Sequence, residues 1–204
     1  MKLLLFSDLH TDTEASKRLV ALSKEADVAV GAGDFANARS GISKCIDVLR
    51  QIRVPTVLVP GNNESLKELG DACRSWVGVH VLHGCGVDIS GQHFFGLGGG
   101  IPVTPFGSWS WDFSEDDGEA LLANCPPGAV LVSHSPPKGA VDVSSSGRSL
   151  GSTSVRNAVI RLKPKLVVCG HIHASAGQQA MIETTPIINA GPEGIIYPLD
   201  HIGF

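Results

Sequence analysis

Five short apolar runs, at 2–7, 27–31, 56–60, 129–133 and 165–169, each stop at a cluster of polar residues. Runs of this length, rich in Leu and Val, read as buried strands. Amphipathic stretches separate them, predicting helices from a Thr13 cap to about Glu25, over Ile42–Gln51, from about Ser65, over Glu115–Ala123 and from Ser152 to about Leu162. Strands alternating with helices predict a mostly parallel sheet with helices packed on it.

From Val77 the rhythm changes. The runs Val79–Leu82, Val87–Ile89 and His93–Leu97 are separated by Gly with no room for helices, and predict a meander belonging to a second sheet. Three further runs, Gln178–Glu183, Ile187–Asn189 and Ile195–Leu199, close the chain. The polar loop Ser135–Leu150, with its Ser144–Ser146 run, reads as a mobile loop. No repeat or linker interrupts the pattern. The expected architecture is one α/β domain over residues 1–204, in which two sheets pack face to face with helices outside.

The polar residues at the strand ends carry the chemistry. They are Asp8-Leu9-His10, Gly33-Asp34, Gly61-Asn62-Asn63-Glu64, His134 and Gly170-His171-Ile172-His173. Residues two apart in an extended chain point the same way, so His171 and His173 are expected to reach one site, as are Asp8 and His10. Sites in α/β proteins form where the carboxyl ends of strands meet. Two Asp, one Asn and four His on one rim make a metal site. Imidazole, carboxylate and amide without thiolate suit Mn, Fe, Zn, Co or Ni. Seven donors exceed one tetrahedral zinc, and four imidazoles do not suit calcium, so two divalent ions about 3.5–4 Å apart are expected.

Composition narrows the partners. A net charge of −4 leaves no broad basic footprint, which argues against nucleic acid or an anionic membrane as the main partner. The N-terminal apolar run ends at Ser7-Asp8, short of the ~7–15 residues of a signal-peptide core, and no stretch approaches the ~18 apolar residues of a spanning helix. The protein is expected to be cytoplasmic. Five Cys without a C-x-x-C pair read as reduced thiols.

In order and spacing, Asp8-x-His10, Gly33-Asp34, Gly61-Asn62-Asn63-Glu64, Ser133-His134 and Gly170-His171-Ile172-His173 resemble the five motifs of the calcineurin-like metallophosphoesterases. Asn189-Ala190-Gly191-Pro192 resembles the segment that follows the last of them. The resemblance implies a four-layer α/β/β/α sandwich of two mixed sheets flanked by helices. It implies that Asp8, His10 and His173 hold one ion, that Asn62, His134 and His171 hold the other, and that Asp34 bridges them. It further implies hydrolysis of a phosphate ester by a water or hydroxide lying between the two ions.

One position departs from the family pattern. Asn63 stands where the third motif usually has a His credited with protonating the leaving group or touching the phosphate. An amide can hydrogen-bond a phosphoryl oxygen but cannot shuttle a proton, so Asn63 as the catalytic contact predicts phosphodiesters favoured over alkyl monoesters. The competing readings are a phosphomonoesterase or protein phosphatase, and a non-enzymatic metal-binding interaction module on the same fold. Gly31-Ala32-Gly33-Asp34-Phe35-Ala36 fits a dinucleotide fingerprint, but the next helix starts too late for it. In the loop from Gly98 to Trp111, Trp109 and Trp111 are candidates for a wall of the substrate cleft, with Pro136-Pro137-Lys138 and Arg148 as weaker sources of positive charge. His80, His83, His93 and His201 read as solvated or structural.

Overall fold

Strict alternation along each strand builds the layers. The computed structural model describes residues 1–199, and His201 lies outside them. Strands β1 (Lys2–Phe6), β2 (Val28–Gly31), β3 (Thr56–Leu58) and β4 (Val79–Val81) run parallel, and β11 (Ile195–Pro198) pairs antiparallel with β1, giving the order β11-β1-β2-β3-β4. Leu3 and Leu5 point into one core with Val28, Val30 and Val57, while Leu4 and Phe6 point into another. That second core is covered by helices α1 (Thr13–Leu22), α2 (Ile42–Leu49) and α3 (Leu66–Cys73), through residues such as Leu19, Ile46 and Leu69. Each fully buried Leu contributes roughly 1.5–3 kcal/mol of transfer free energy, so the pattern fixes which face goes where.

The second sheet repeats the device. Its strands are β5 (Cys85–Ile89), β6 (Gln92–Leu97), β7 (Val130–Ser133), β8 (Leu166–Cys169), β9 (Gln179–Ile182) and β10 (Thr185–Asn189), in the order β5-β6-β7-β8-β10-β9. Phe94, Val132 and Val168 meet the first sheet across the shared core; Phe95, Leu131 and Val167 face α4 (Glu115–Leu122) and α5 (Thr153–Leu162). The result is the α/β/β/α sandwich, with two mixed sheets. Among the described residues no helix is long and apolar enough to cross a membrane.

Two expectations are corrected. The run at Val79 does not join the meander: β4 pairs parallel with β3, because α3 already supplies the crossover, and only β5 and β6 form the hairpin. Ser90 and Gly91 both have positive φ at its turn, the backbone that matches strand twist in a two-residue hairpin. The cap of α1 is Asp12, whose carboxylate accepts the Glu14 and Ala15 N–H groups, and not Thr13, which is already helical. The Ser144–Ser146 run is a hydrogen-bonded turn: Ser144 N–H donates to the Arg148 carbonyl, Gly147 N–H donates to the Ser144 carbonyl, and Val143 bridges Ser149. The described cysteines are all unpaired, and four of the five are buried.

Candidate metal centre and cleft

At the carboxyl end of each central strand the chain turns sharply, and four candidate ligands sit in the turn. Asp8, His10, Asp34 and His171 all have positive φ, between 44° and 68°. This left-handed backbone costs a non-Gly residue about 1–2 kcal/mol and gathers at functional sites. It also corrects the picture of an extended pair. His171 is left-handed and His173 opens a 3-10 turn, so the two imidazoles diverge.

They diverge into two donor groups. Asp8, His10, Asp34 and His173 bring one ligand atom each to within 4.8 Å of one another, as do Asp34, His134 and His171. Asp34 belongs to both. In the first group the Nε2 atoms of His10 and His173 lie 2.9 Å apart, and His10 Nε2 is 3.6 Å from Asp34. In the second, Asn62 Oδ1 lies 3.2 Å from His134 Nε2 and 3.0 Å from His171 Nδ1. His134 donates its Nδ1–H to the Ala32 carbonyl at 2.7 Å, so in the neutral ring Nε2 carries a lone pair aimed at another acceptor. Acceptors converging at on the order of 3 Å are what ligands of one cation at about 2.0–2.2 Å look like. The donor set therefore fits divalent metal, with Asp34 common to both groups.

The electrostatics agree. Burial would raise the Asp34 carboxyl, but His134, His10, His171 and the Asn63 N–H together hold it below the usual carboxylate range. Burial raises Asp8 despite the opposing pull of His134, and the Asp34 charge adds to the rise. Burial would likewise lower His134, yet Asp34 and Asp8 bring it above the ordinary imidazole value. His171 is pushed down to about 4 by burial and then by His134. Two buried carboxylates beside imidazoles of opposite tendency are a constellation built for a cation.

The sequence profile of the calcineurin-like phosphoesterase family matches residues 1–175. The chain belongs to that family. Human metallophosphoesterase domain-containing protein 1 is 31% identical over 141 residues, 65% of this chain, and a Caenorhabditis elegans UPF0046 protein is 37% identical over 73 residues. The chain spans only 39% and 18% of these two relatives' lengths. Among solved structures, the protein TT1561 of Thermus thermophilus superposes with a TM-score of 0.76 at 18% identity, covering 94% of this chain and 90% of that one. A dimetal phosphatase from Danio rerio gives 0.58 at 13% identity, covering 93% and 86%. These likenesses establish the fold.

In this calcineurin-like phosphoesterase a second layer of residues holds the donors. Glu64 is fully buried and accepts the N–H groups of Asp34, Gly61 and Ala36, tying two loops together; burial and the Asp34 charge lift its carboxyl to about 7. Ser7 donates to Asp8 and accepts from Gly191 N–H, while Asn189 Nδ2 reaches the Gly170 and Ile172 carbonyls on either side of His171. Gly61 and Gly170 permit close approach: a Cβ would sit 2.0 Å from Asp34 Oδ1 at the first and 2.4 Å from Asp8 Oδ2 at the second. Asn62 donates Nδ2 to Ser110 Oγ at 2.9 Å, which turns its Oδ1 toward the imidazoles; Ser110 is itself held by Asp112 and Thr104. Ser110 carries no local sequence signal, whereas Glu64 is flagged by its place in the third motif.

Beside the donors lies a cleft of about 1130 Å³. Trp109 lines it, stacked on Phe106 with ring centroids 5.6 Å apart. Trp111 does not line it: its indole packs behind, against His83 and Phe113. His83 accepts Gly98 N–H there, and burial lowers its pKa. Lys138 donates to the Ser149 carbonyl and lies outside the lining, but Arg148 is part of it. Asn63 reaches the cleft edge with its amide committed inward. Nδ2 donates to Asp34 at 2.7 Å and Oδ1 accepts Ala38 N–H at 2.8 Å. A direct phosphoryl contact from that amide would require breaking the bond to Asp34, so Asn63 reads more readily as a support of Asp34.

Proposed function

We propose that this chain hydrolyses phosphate esters with two divalent ions, Mn, Fe, Zn, Co or Ni. Asp8, His10 and His173 would hold one, Asn62, His134 and His171 the other, and Asp34 both. The observation that carries the reading is the pair of donor groups sharing Asp34. Bound there, the ions would supply the positive charge that acidifies an attacking water and offsets the charge on the phosphoryl oxygens.

The chain's own residues do the rest. His134 keeps its Nε2 lone pair available because Nδ1–H is spent on Ala32. Asn63 steadies Asp34 through two hydrogen bonds. The cleft beside the donors is wide enough to admit a small ester substrate.

Phosphodiesters and activated esters are the favoured substrates. Every imidazole and carboxyl lining the cleft belongs to a donor group, and Asn63 cannot give a proton, so no lining group is free to protonate a poor leaving group. Loss of general-acid help costs ~10²–10⁴-fold, which falls hardest on alkyl monoesters. The test is kcat/KM with each metal on bis-p-nitrophenyl phosphate and on an alkyl monoester, with Asp34→Asn and chelator-stripped protein as controls. Diester turnover that disappears in both controls, with two metal equivalents by elemental analysis, is expected. A preference for the alkyl monoester would overturn the substrate reading, and activity surviving chelation would overturn the metal reading.

A further inference from the structure

The cleft is far larger than a phosphate group and is walled by exposed apolar side chains. About 1130 Å³ lies just above the ~300–1,000 Å³ of pockets that enclose drug-sized ligands. Its walls include Val103 (63% exposed), Phe106 (51%), Trp109 (36%) and Leu150 (39%). Exposed large apolar residues scattered singly need no explanation, but four lining one cleft beside a reaction centre do. The Phe106 and Trp109 rings stack on each other 19° from parallel, so each covers one face of the other and the pair forms an aromatic platform whose outer ring face is flat. That platform is anchored: Arg39 donates to the Trp109 carbonyl, and Trp111 N–H donates to the Asn62 carbonyl two residues on. Its position is thereby tied to the donor groups.

Charge on the lining limits the occupant further. Arg148 is the one Arg or Lys on the lining; it is exposed, and its guanidinium makes no hydrogen bond among the described residues. A polyanionic strand would need several such cations to offset its phosphates. One guanidinium beside an apolar platform suits a single phosphate joined to an uncharged flat ring.

We infer that the Phe106–Trp109 platform is a subsite for a flat aromatic or heteroaromatic ring on the non-leaving side of a phosphodiester, with Arg148 contacting the single phosphate. This rests on the proposed hydrolytic reading and names its substrate class. Stacking on an aromatic side chain is sequence-tolerant and shape-selective, so the ring's flatness matters more than its substituents.

The experiment holds the leaving group constant. Methyl, 1-naphthyl and thymidine-5′ p-nitrophenyl phosphodiesters are compared by kcat/KM in the wild type, Trp109→Ala, Trp109→Phe and Arg148→Ala. Binding of (1-naphthylmethyl)phosphonate, whose ring is joined through carbon and which has no ester bond to cleave, is read in parallel by calorimetry. The ring-over-methyl ratio is expected to be roughly 5–100-fold in the wild type, to collapse in Trp109→Ala and to be largely restored in Trp109→Phe. Arg148→Ala should lower all three diesters and leave the ratio. A Trp109→Ala variant that is merely misfolded would depress all substrates alike and keep the ratio, which counts against the subsite, as does a wild-type ratio near one. The naphthyl and thymidine arms separate a plain aromatic group from a nucleoside. If no diester is hydrolysed but the phosphonate binds in a Trp109-dependent way, the hydrolytic reading falls and the ring subsite stands.

Discussion

Asn189→Ala offers a sharp test of how the histidine fork is held. Asn189 is fully buried, and its Nδ2 donates to the carbonyls of Ile172 (3.1 Å), Gly170 (3.2 Å) and, weakly, Val141 (3.4 Å). Two of these carbonyls flank His171, and Ile172 immediately precedes His173. The Gly170 and Ile172 carbonyls keep one partner each, the N–H groups of Ile172 and Ser175, so their loss is partial. Two N–H donors shared among three carbonyls, at about 1 kcal/mol net each, plus the space the amide leaves, predict a loss of about 2–4 kcal/mol. At ~2–4 °C per kcal/mol for a chain of this length, Tm should fall by roughly 4–16 °C.

Asn189→Asp separates hydrogen bonding from packing. It keeps the shape but turns an oxygen toward three carbonyl oxygens and buries a charge without a cationic partner. It should therefore cost more than the alanine, about 4 kcal/mol or above. Urea unfolding of both metal-free variants measures the order directly, and metal titration should show affinity weakened about 10–100-fold, as for other residues that orient ligands. An alanine cost below ~0.5 kcal/mol would refute the reasoning, and so would an aspartate better tolerated than alanine, since shape would then outrank the donor.

Two further outcomes are expected. Ser110→Ala removes the hydroxyl that accepts from Asn62, frees the amide to rotate and should weaken metal binding about tenfold with little effect on folding; a change confined to KM, with metal affinity intact, would contradict this. Glu115 offers the pH test. Burial would raise its pKa, but the Ser154 and Thr153 N–H groups and the Ser152 hydroxyl at the start of α5 hold it below the ordinary value of 4.5. A depressed carboxylate adds stability that is complete above its unfolded pKa and fades as pH falls through the folded one. Glu115→Gln should thus cost about 1 kcal/mol near neutrality, modest because the carboxylate is partly solvated, and the gap to wild type should close below pH 4.5. Urea midpoints at neutral pH and near the acid limit check the trend.

The layers and the candidate site were legible because burial leaves a local trace. Alternation of apolar residues encodes which face of a strand meets helices and which meets the other sheet. Polar residues ending those runs have no apolar core to enter, so they mark the rim. Asp8, His10, Asp34, Asn62, His134, His171 and His173 were all nameable on that ground. Their grouping does not follow from periodicity; in the sequence it came only with the order of the family's motifs. His10 and His173 stand 163 residues apart in sequence, and the left-handed turn at His171 sends neighbouring imidazoles to different groups. Only tertiary contact separates Trp109, on the cleft, from Trp111, packed on His83, for the two are alike in sequence. Tertiary contact likewise commits the Asn63 amide to Asp34 and Ala38, and pairs β4 with β3. Periodicity reports how a residue meets solvent; which distant residue it meets is decided by the packing of the whole chain.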